Sequence, residues 1–92
     1  MKNKIKKVIC FDIDNVLCRT KNSNYSLSKP NIKAIQKINE LYKRGYKIIF
    51  FTSRYMGRTK NNIKKSYLLG FEQTSNQLKK WKVKYHKLIM GK

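Results

Sequence analysis

Two aspartates stand two residues apart, directly after the apolar run Val8-Ile9-Cys10-Phe11. The run predicts a strand over residues 5 to 11 that is buried on both faces, followed by a turn over residues 12 to 17. In extended backbone, residues i and i+2 point the same way, so Asp12 and Asp14 would share one side. Half of the four acidic residues of the chain lie in this pair. Such a pair can supply a carboxylate nucleophile beside an acid/base carboxylate, with a magnesium ion to neutralise their charge.

The aspartate pair has two other interpretations. It can belong to an ordinary turn, because Asp is common in turns. It can also begin an EF-hand calcium loop, with Asp12 and Asp14 at the first and third ligand positions. The later positions exclude that loop, since they would hold Val16, Leu17 and Ser23 where a ligand, a glycine and a glutamate are needed. The strand before the pair favours catalysis, because ligands of open parallel sheets lie outside the carboxyl ends of the strands.

The chain after this turn predicts a loop and then an amphipathic helix. The polar stretch 19–29 reads as a loop or flap. Ser28 is expected to cap the helix, Pro30 to lie in its first turn and Gly45 to end it. Apolar residues recur every three or four positions and form one stripe for the core: Ile32, Ile35, Ile38, Leu41 and Tyr42.

A second apolar segment, residues 46–51, predicts a strand parallel to the first. A strand, a helix and a strand in succession form a βαβ unit, whose strands are parallel. The carboxyl ends of parallel strands lie at the same edge of the sheet. We therefore expect Thr52, which follows the second strand, to lie near Asp12. A hydroxyl and a backbone N–H at that edge can hold a phosphoryl oxygen.

The last third of the chain predicts two short helices and a third strand. The first helix would end at Gly70, and Thr74 would cap the second. Trp81 on the second helix is expected to pack into the core. His86 is expected to be a surface or structural residue rather than a base. Residues 87–90 are apolar enough to form the third strand.

The composition indicates one small globular domain with a large positive charge. The 92 residues are 40% hydrophobic, and 23 Lys plus Arg against 4 acids give a net charge of +19. Such a charge attracts polyanions, nucleic acid above all, and also anionic substrates. We favour a compositional bias as its origin, because the lysines are spread along the whole chain. A nucleic-acid partner is therefore allowed but not favoured.

The sequence also argues against membrane and disulfide-dependent classes. No apolar run approaches the length of a membrane span, and the run after the basic N-terminus is too short for a signal peptide. Cys10 and Cys18 match neither a disulfide framework nor a zinc-binding pattern. We expect reduced thiols and a cytoplasmic protein.

Three segments resemble motifs of the haloacid dehalogenase-like (HAD) hydrolases. Residues 11–17 resemble the first motif, D-x-D-G-T/V, and residues 49–54 resemble the second, a strand that ends in Thr or Ser. Residues 74–86, with the following strand and Gly91-Lys92, are similar to a segment of small HAD phosphatases found with capsular polysaccharide or sugar-nucleotide genes. The resemblance covers nearly the whole chain, and the motifs stand in the family's order.

The resemblance implies a fold and a boundary. The fold would be a Rossmann-like, HAD-type three-layer α/β sandwich with a parallel sheet, truncated after the third strand and without a cap domain. Residues 1–92 would form a single domain that lacks the fourth-motif segment. The first strand, which is central in the family, would then be an edge strand, and we expect self-association through this exposed sheet edge.

The resemblance also implies roles for five residues. Asp12 would be the nucleophile that forms an aspartyl-phosphate, and Asp14 would protonate the leaving group and later activate water. Thr52 and Ser53 would bind the transferring phosphoryl group, and Lys92 would neutralise the phosphoaspartate. The metal would be Mg²⁺, bound by the carboxylate of Asp12, the backbone carbonyl of Asp14 and a fourth-motif acid.

Two positions and one missing acid depart from the family pattern. Asn15 replaces a glycine, although Asn tolerates unusual backbone angles better than most residues. Lys82 stands where relatives often have glycine. The fourth-motif acid is missing, because no acid follows Glu72. A fragment, the product of a shortened gene and a chain completed by a partner all stay open as explanations.

The function expected from the sequence is a Mg²⁺-dependent phosphomonoester hydrolase, which would be at best very weakly active unless a fourth-motif acid completes it. Its substrate would be a phosphorylated small molecule or saccharide, in polysaccharide or sugar-phosphate metabolism. One alternative is a catalytically degenerate HAD-like remnant that binds a phosphorylated ligand or a partner. The other is a basic nucleic-acid-binding module, which ranks last because few aromatic residues interleave with the lysines.

Overall fold

The structure is a computed structural model that describes residues 7–22, 24–57 and 59–92. Its first half contains one long strand, a small two-stranded hairpin and a long helix. Its second half contains a strand, a long helix and a final strand. In chain order the elements are β1 (Val8–Asp12), β2 (Cys18–Arg19), a 3₁₀ helix (Tyr25–Leu27), β3 (Lys29–Pro30), α1 (Ile32–Lys43), β4 (Lys47–Thr52), α2 (Ile63–Lys80) and β5 (Lys87–Met90).

Three strands form one parallel sheet in the order β1-β4-β5. The sheet and its helices make a small Rossmann-like α/β fold, as predicted. The strand predicted over residues 46–51 begins and ends one residue later, as β4 (Lys47–Thr52), and β5 has the predicted bounds. The first begins at Val8 and ends at Asp12; residues 5 and 6 of its predicted range lie outside the described residues.

Both long helices pack on the same face of this sheet. Ile48 and Phe50 of β4 are buried in one cluster that also contains Ile35 of α1 and Leu78 of α2. This follows from topology, because two right-handed crossovers that step in the same direction place their helices on one side. The opposite face carries apolar side chains that are exposed or half-buried: Val8, Cys10, Ile49, Phe51 and Ile89. Of the three expected layers, the described residues form the sheet and one helical layer.

The start of α1 differs from the prediction. Asn31, not Ser28, caps the helix, and its side-chain oxygen accepts the N–H of Ala34. Ser28 is buried and belongs to the flap, and Pro30 lies in β3, before the helix begins. Ile32, predicted to join the apolar stripe, is 58% exposed and lies outside the core.

Both long helices end in a residue with left-handed backbone. Gly45, predicted to end α1, has φ 95°, and Lys82, after α2, has φ 59°. In each helix the N–H two residues past the C-cap donates to a carbonyl five residues earlier, from Tyr46 to Leu41 and from Val83 to Leu78. This is the Schellman arrangement, which favours glycine at the left-handed position. The left-handed backbone at Lys82 explains why a glycine would be favoured at this position.

The prediction of two helices divided near Gly70 is wrong. Residues Ile63–Lys80 form one helix, capped by Asn62, and both Gly70 and Thr74 are buried inside it. Gly70 lies inside the helix and faces the ring of Tyr55. A Cβ at Gly70 would lie 2.6 Å from Cε2 of that ring and closer still to Cδ2. Neither α2 nor any other helix of the described ranges is long and apolar enough to cross a membrane.

His86 and Trp81 have structural positions, as predicted. The Nδ1 of His86 accepts the N–H of Ile48 at 3.0 Å, and the N–H of His86 donates to the carbonyl of Ile48 at 2.8 Å. Its ring also stacks on Tyr42, with the ring centroids 4.7 Å apart. Trp81 forms the C-cap of α2 and packs against the core.

Candidate active site

The three strands end at one edge of the sheet, and three predicted site residues lie there. Asp12 is the last residue of β1 and pairs with Phe51. Thr52, the last residue of β4, follows Phe51, and Lys92 lies just beyond β5. The prediction that parallel strands bring Asp12 and Thr52 to the same edge is confirmed.

Lys92 connects the ends of β1 and β4. Its ammonium contacts Oδ2 of Asp12, and its backbone N–H donates to the carbonyl of Thr52 at 3.1 Å. Gly91, which has φ 85°, allows the chain to turn back over the edge. A Cβ at Gly91 would also lie 2.9 Å from Cγ1 of Ile63. A glycine is therefore needed to deliver Lys92 to the site.

Thr52 and Ser53 are placed differently with respect to solvent. Thr52 is buried, and its Oγ1 accepts the N–H of Arg54 at 3.0 Å, a bond that does not use the hydroxyl hydrogen. Ser53 is exposed, and its carbonyl accepts the N–H of Met56 at 3.0 Å. Thr52 therefore belongs to the rigid wall of the edge, whereas Ser53 lies on the exposed turn above it.

Arg54, which is not among the predicted site residues, holds the carboxylate of Asp14. The guanidinium of Arg54 is fully buried and donates from Nη2 to Oδ1 at 2.9 Å and from Nε to Oδ2 at 3.1 Å. Thr20 Oγ1 donates to Oδ1 at 2.5 Å. Burial raises the pKa of Asp14, but the hydrogen bonds from Arg54 and Thr20 outweigh it, so the pKa lies below its ordinary value of 3.8.

Arg54 also ties the flap to α2. Its Nη1 donates to Oε1 of Gln77 at 2.6 Å, and its guanidinium lies over the ring of Tyr25, 4.8 Å from the centroid. Gln77 in turn donates from Nε2 to the carbonyl of Tyr25 at 2.6 Å. One sequence signal points to Arg54: it is one of only four arginines, and it directly follows a strand end. Two parallel hydrogen bonds to one carboxylate suit the planar fork of Arg rather than the ammonium of Lys.

Asn15 and Cys18 complete the turn around Asp14. Asn15 has φ 70°, so it adopts the left-handed conformation that glycine would have at this motif position, and its N–H donates to the carbonyl of Cys18 at 2.8 Å. The Sγ of Cys18 is buried, 3.6 Å from Oδ1 of Asp14. Burial raises the pKa of this thiol, which disfavours a thiolate nucleophile.

The oxygen donors at this edge match Mg²⁺ in chemical type. Mg²⁺ prefers hard oxygen ligands, and it is commonly bound by one or two carboxylates together with water and substrate phosphates. The carboxylate of Asp12 and the backbone carbonyl of Asp14 are such donors. Arg54 engages the carboxylate of Asp14, and the described residues contain no cluster of three His, Cys, Asp or Glu side chains for a metal. The two oxygen donors therefore match Mg²⁺ in chemical type, and they are one side-chain carboxylate and one backbone carbonyl.

Comparison with known proteins establishes the fold. No family model matches the chain, and no curated protein matches it. A solved structure of an MCSG target from Vibrio cholerae is similar with a TM-score of 0.88 and 26% identity, over 94% of this chain and 70% of that chain. The chain therefore has a Rossmann-like fold.

Two solved complexes contain more distant structural relatives. A chain of a Pnkp1/Rnl/Hen1 complex is similar with a TM-score of 0.65 and 23% identity, and a chain of a Pnkp1/Rnl/Hen1 RNA repair complex with 0.63 and 22%. Each match covers 94% of this chain, but only 28% and 26% of the matched chains. Because both identities are below 25%, these similarities show the fold alone.

Proposed function

We propose that this protein is a Mg²⁺-dependent phosphomonoester hydrolase of HAD type, acting on a phosphorylated small molecule or saccharide. The observation that supports it most is the meeting of Asp12, Thr52 and Lys92 at one sheet edge. A carboxylate, an ammonium that contacts it and a buried hydroxyl are the groups that phosphoryl transfer through an acyl-phosphate needs. The side chain of Asp12 is 36% exposed, so a substrate can reach it.

The first chemical step would transfer the phosphoryl group to Asp12. A carboxylate oxygen of Asp12 attacks phosphorus and forms a new P–O bond, while the bond to the substrate oxygen breaks and that oxygen keeps the electron pair. The ammonium of Lys92 offsets negative charge on Asp12 and on the phosphoryl oxygens. The hydroxyl of Thr52 can donate to one of those oxygens.

The second step would release phosphate. Water attacks phosphorus, the bond to Asp12 breaks, and Asp14 accepts a proton from the water. Asp14 is a carboxylate at neutral pH and can accept this proton, but its lowered pKa makes it a weaker base than an ordinary Asp. The same lowered pKa opposes the acid role in the first step. Substrates whose leaving oxygen is a weak base, such as aryl phosphates, are therefore expected to react best.

The metal would be held by the carboxylate of Asp12 and the backbone carbonyl of Asp14. When bound, Mg²⁺ would supply positive charge against the phosphoryl oxygens.

Two free cysteines, Cys10 exposed and Cys18 buried, support a reducing, cytoplasmic location for this activity.

One observation favours the alternative, a non-hydrolysing protein that binds a phosphorylated ligand. Arg54 and Thr20 occupy the carboxylate of Asp14, so this group is engaged in structure as well as placed for catalysis. Such a protein would bind phosphate at Asp12, Thr52 and Lys92 without turning it over. The two functions differ in one measurable quantity, the release of inorganic phosphate.

The test is phosphate release from 4-nitrophenyl phosphate with Mg²⁺, measured for the wild-type chain and for Asp12→Asn. Glu72→Gln is the matched control, because Glu72 is an exposed acid on α2 and the charge change is the same. We expect slow release by wild type and Glu72→Gln and none above background by Asp12→Asn. Wild-type protein that binds phosphate but never releases it from an ester would favour the non-hydrolysing alternative.

A further inference from the structure

Two cations face each other in the flap. In the antiparallel pairing of β2 with β3, Arg19 is the direct partner of Lys29, and both side chains are exposed. Like charges directly opposite across such a pair are destabilising. Three of the four acids of the chain are paired elsewhere: Asp12 with Lys92, Asp14 with Arg54 and Glu40 with Arg44. The flap pair is therefore an arrangement that an external anion would relieve.

The same two cations line an open groove, which we call the flap groove. Its volume is about 890 Å³, and its polar lining is Asn15, Arg19, Lys21, Asn22, Asn24 and Lys29. None of the described lining residues is acidic. The groove thus combines three exposed cations with three side-chain amides. A volume of this size is that of a small-molecule site and exceeds what one phosphate fills.

The flap groove lies next to Asp14 of the proposed active site. It begins at Asn15, the residue after Asp14. Its wall also includes Thr20, whose hydroxyl donates to the carboxylate of Asp14. Because Asp14 is two residues from Asp12, a substrate whose phosphate is at Asp12 can place its leaving group in this groove.

We infer that the flap groove binds a second phosphate group, carried by the leaving group of the substrate. This inference rests on the proposed hydrolase function. Arg and Lys side chains form charge-assisted hydrogen bonds with phosphate, and the amides can pair with sugar or base groups. A leaving group of this chemistry has two sources, a nucleoside bisphosphate and the phosphorylated end of a single-stranded oligonucleotide, which carries a phosphate at every step.

The experiment measures binding, so it does not depend on turnover. Calorimetry would compare adenosine 3′,5′-bisphosphate with adenosine 5′-monophosphate for the wild-type chain, the flap variant Arg19→Gln/Lys29→Gln and a matched control, Lys33→Gln/Lys37→Gln. The control removes the same charge from exposed positions on α1. We expect the flap variant to lose about tenfold in affinity for the bisphosphate, the control to lose less than about twofold, and monophosphate binding to be equal in both variants.

An oligothymidylate with a terminal phosphate distinguishes the two sources. If the substrate is a strand, it binds more tightly than the bisphosphate, and the slope of log K against log salt falls by about 0.7 for each cation removed from the flap. If the substrate is a small molecule, the bisphosphate binds as tightly as the strand. Equal losses of bisphosphate affinity in the flap and control variants would overturn the inference, since they would show that the overall positive charge, and not the flap groove, attracts the ligand. Equal wild-type affinity for bisphosphate and monophosphate would overturn it as well.

Folding and hydrolysis are controlled separately. The flap variant is expected to unfold at no lower temperature than wild type in low salt, because a like-charge pair has been removed. If it does not fold, the single exposed change Lys21→Gln takes its place, with the same prediction for the bisphosphate. Specific bisphosphate binding without any phosphate release would overturn the hydrolase proposal and support the groove. Phosphate release with no preference for the bisphosphate would support the hydrolase proposal and overturn the inference about the flap groove.

Discussion

The ammonium of Lys92 contacts the carboxylate of Asp12 across eighty residues of sequence. The backbone of Lys92 is fixed at the same time, because its N–H donates to the carbonyl of Thr52. The side chain of Lys92 is 51% exposed and that of Asp12 is 36% exposed, so the pair is open to solvent and to a ligand. In this geometry, the positive charge lies next to the carboxylate before any substrate arrives.

This contact predicts a functional rather than a structural role for Lys92. Ion pairs near the surface contribute little to stability, so Lys92→Met should leave thermal unfolding almost unchanged. It should reduce phosphate release and phosphate binding, because the charge that offsets the phosphoryl oxygens is lost. Lys37→Met, exposed on α1, is the control for loss of one positive charge. A large drop in unfolding temperature, or unchanged activity, would contradict the assignment.

The Asp14–Arg54 pair predicts a pH dependence of stability. The pKa of Asp14 is lowered in the folded protein, so its contribution is present above the ordinary pKa of 3.8 and is lost as pH falls through the folded value. Asp14→Asn leaves the buried guanidinium of Arg54 without its anionic partner, which costs about 3 kcal/mol at pH 7.

Urea unfolding between pH 2 and pH 7 measures this effect. The difference in unfolding free energy between wild type and Asp14→Asn should shrink as pH falls below 3.8. Glu40→Gln, which removes an acid from an exposed pair with Arg44, should show almost no difference at any pH. A constant difference for Asp14→Asn would mean that the carboxylate does not titrate with folding.

The sequence reveals the sheet and its edge because their rules are local. Apolar runs and the βαβ order are sufficient to predict parallel strands, and from them the proximity of Asp12 and Thr52. The role of Gly70 and the partners of Arg54 could not be predicted in this way, because both depend on residues distant in sequence. A glycine that ends a helix and one that admits a neighbouring ring have the same local sequence, and only the position of Tyr55 distinguishes them. The partners of Arg54 come from the flap and from α2, so they are brought together by the fold alone.

Gly70 therefore offers a test of the packing between α2 and the loop after β4. Alanine has the higher helix propensity, by about 1 kcal/mol, so Gly70→Ala would stabilise a solvent-exposed helix. Here the added methyl overlaps the ring of Tyr55, and overpacking of this kind typically costs about 1–3 kcal/mol. Chemical denaturation should show a net loss of stability in Gly70→Ala, and a clear gain would show that Tyr55 does not occupy this position.

We also propose that the free edge and open face of the sheet drive self-association. Among the described residues, β1 pairs with β4 alone, and Val8 on its outer face is 52% exposed. The net charge of +19 opposes contact between copies, and salt screens it. Light scattering should therefore show association that increases with salt. Val8→Lys should reduce it, and Ile32→Lys, at an apolar α1 residue of similar exposure, should not. A monomer at every salt concentration would refute the proposal.

The most direct test of the central claim is to find where phosphorus is bound during turnover. The chain is mixed with a labelled aryl phosphate and Mg²⁺, quenched with acid and digested, and the peptides are examined by mass spectrometry. An aspartyl-phosphate mechanism predicts phosphorus on the peptide that contains Asp12, and none in Asp12→Asn, whose amide is a far poorer nucleophile. Phosphate release that continues undiminished in Asp12→Asn, or label on a different residue, would contradict the mechanism.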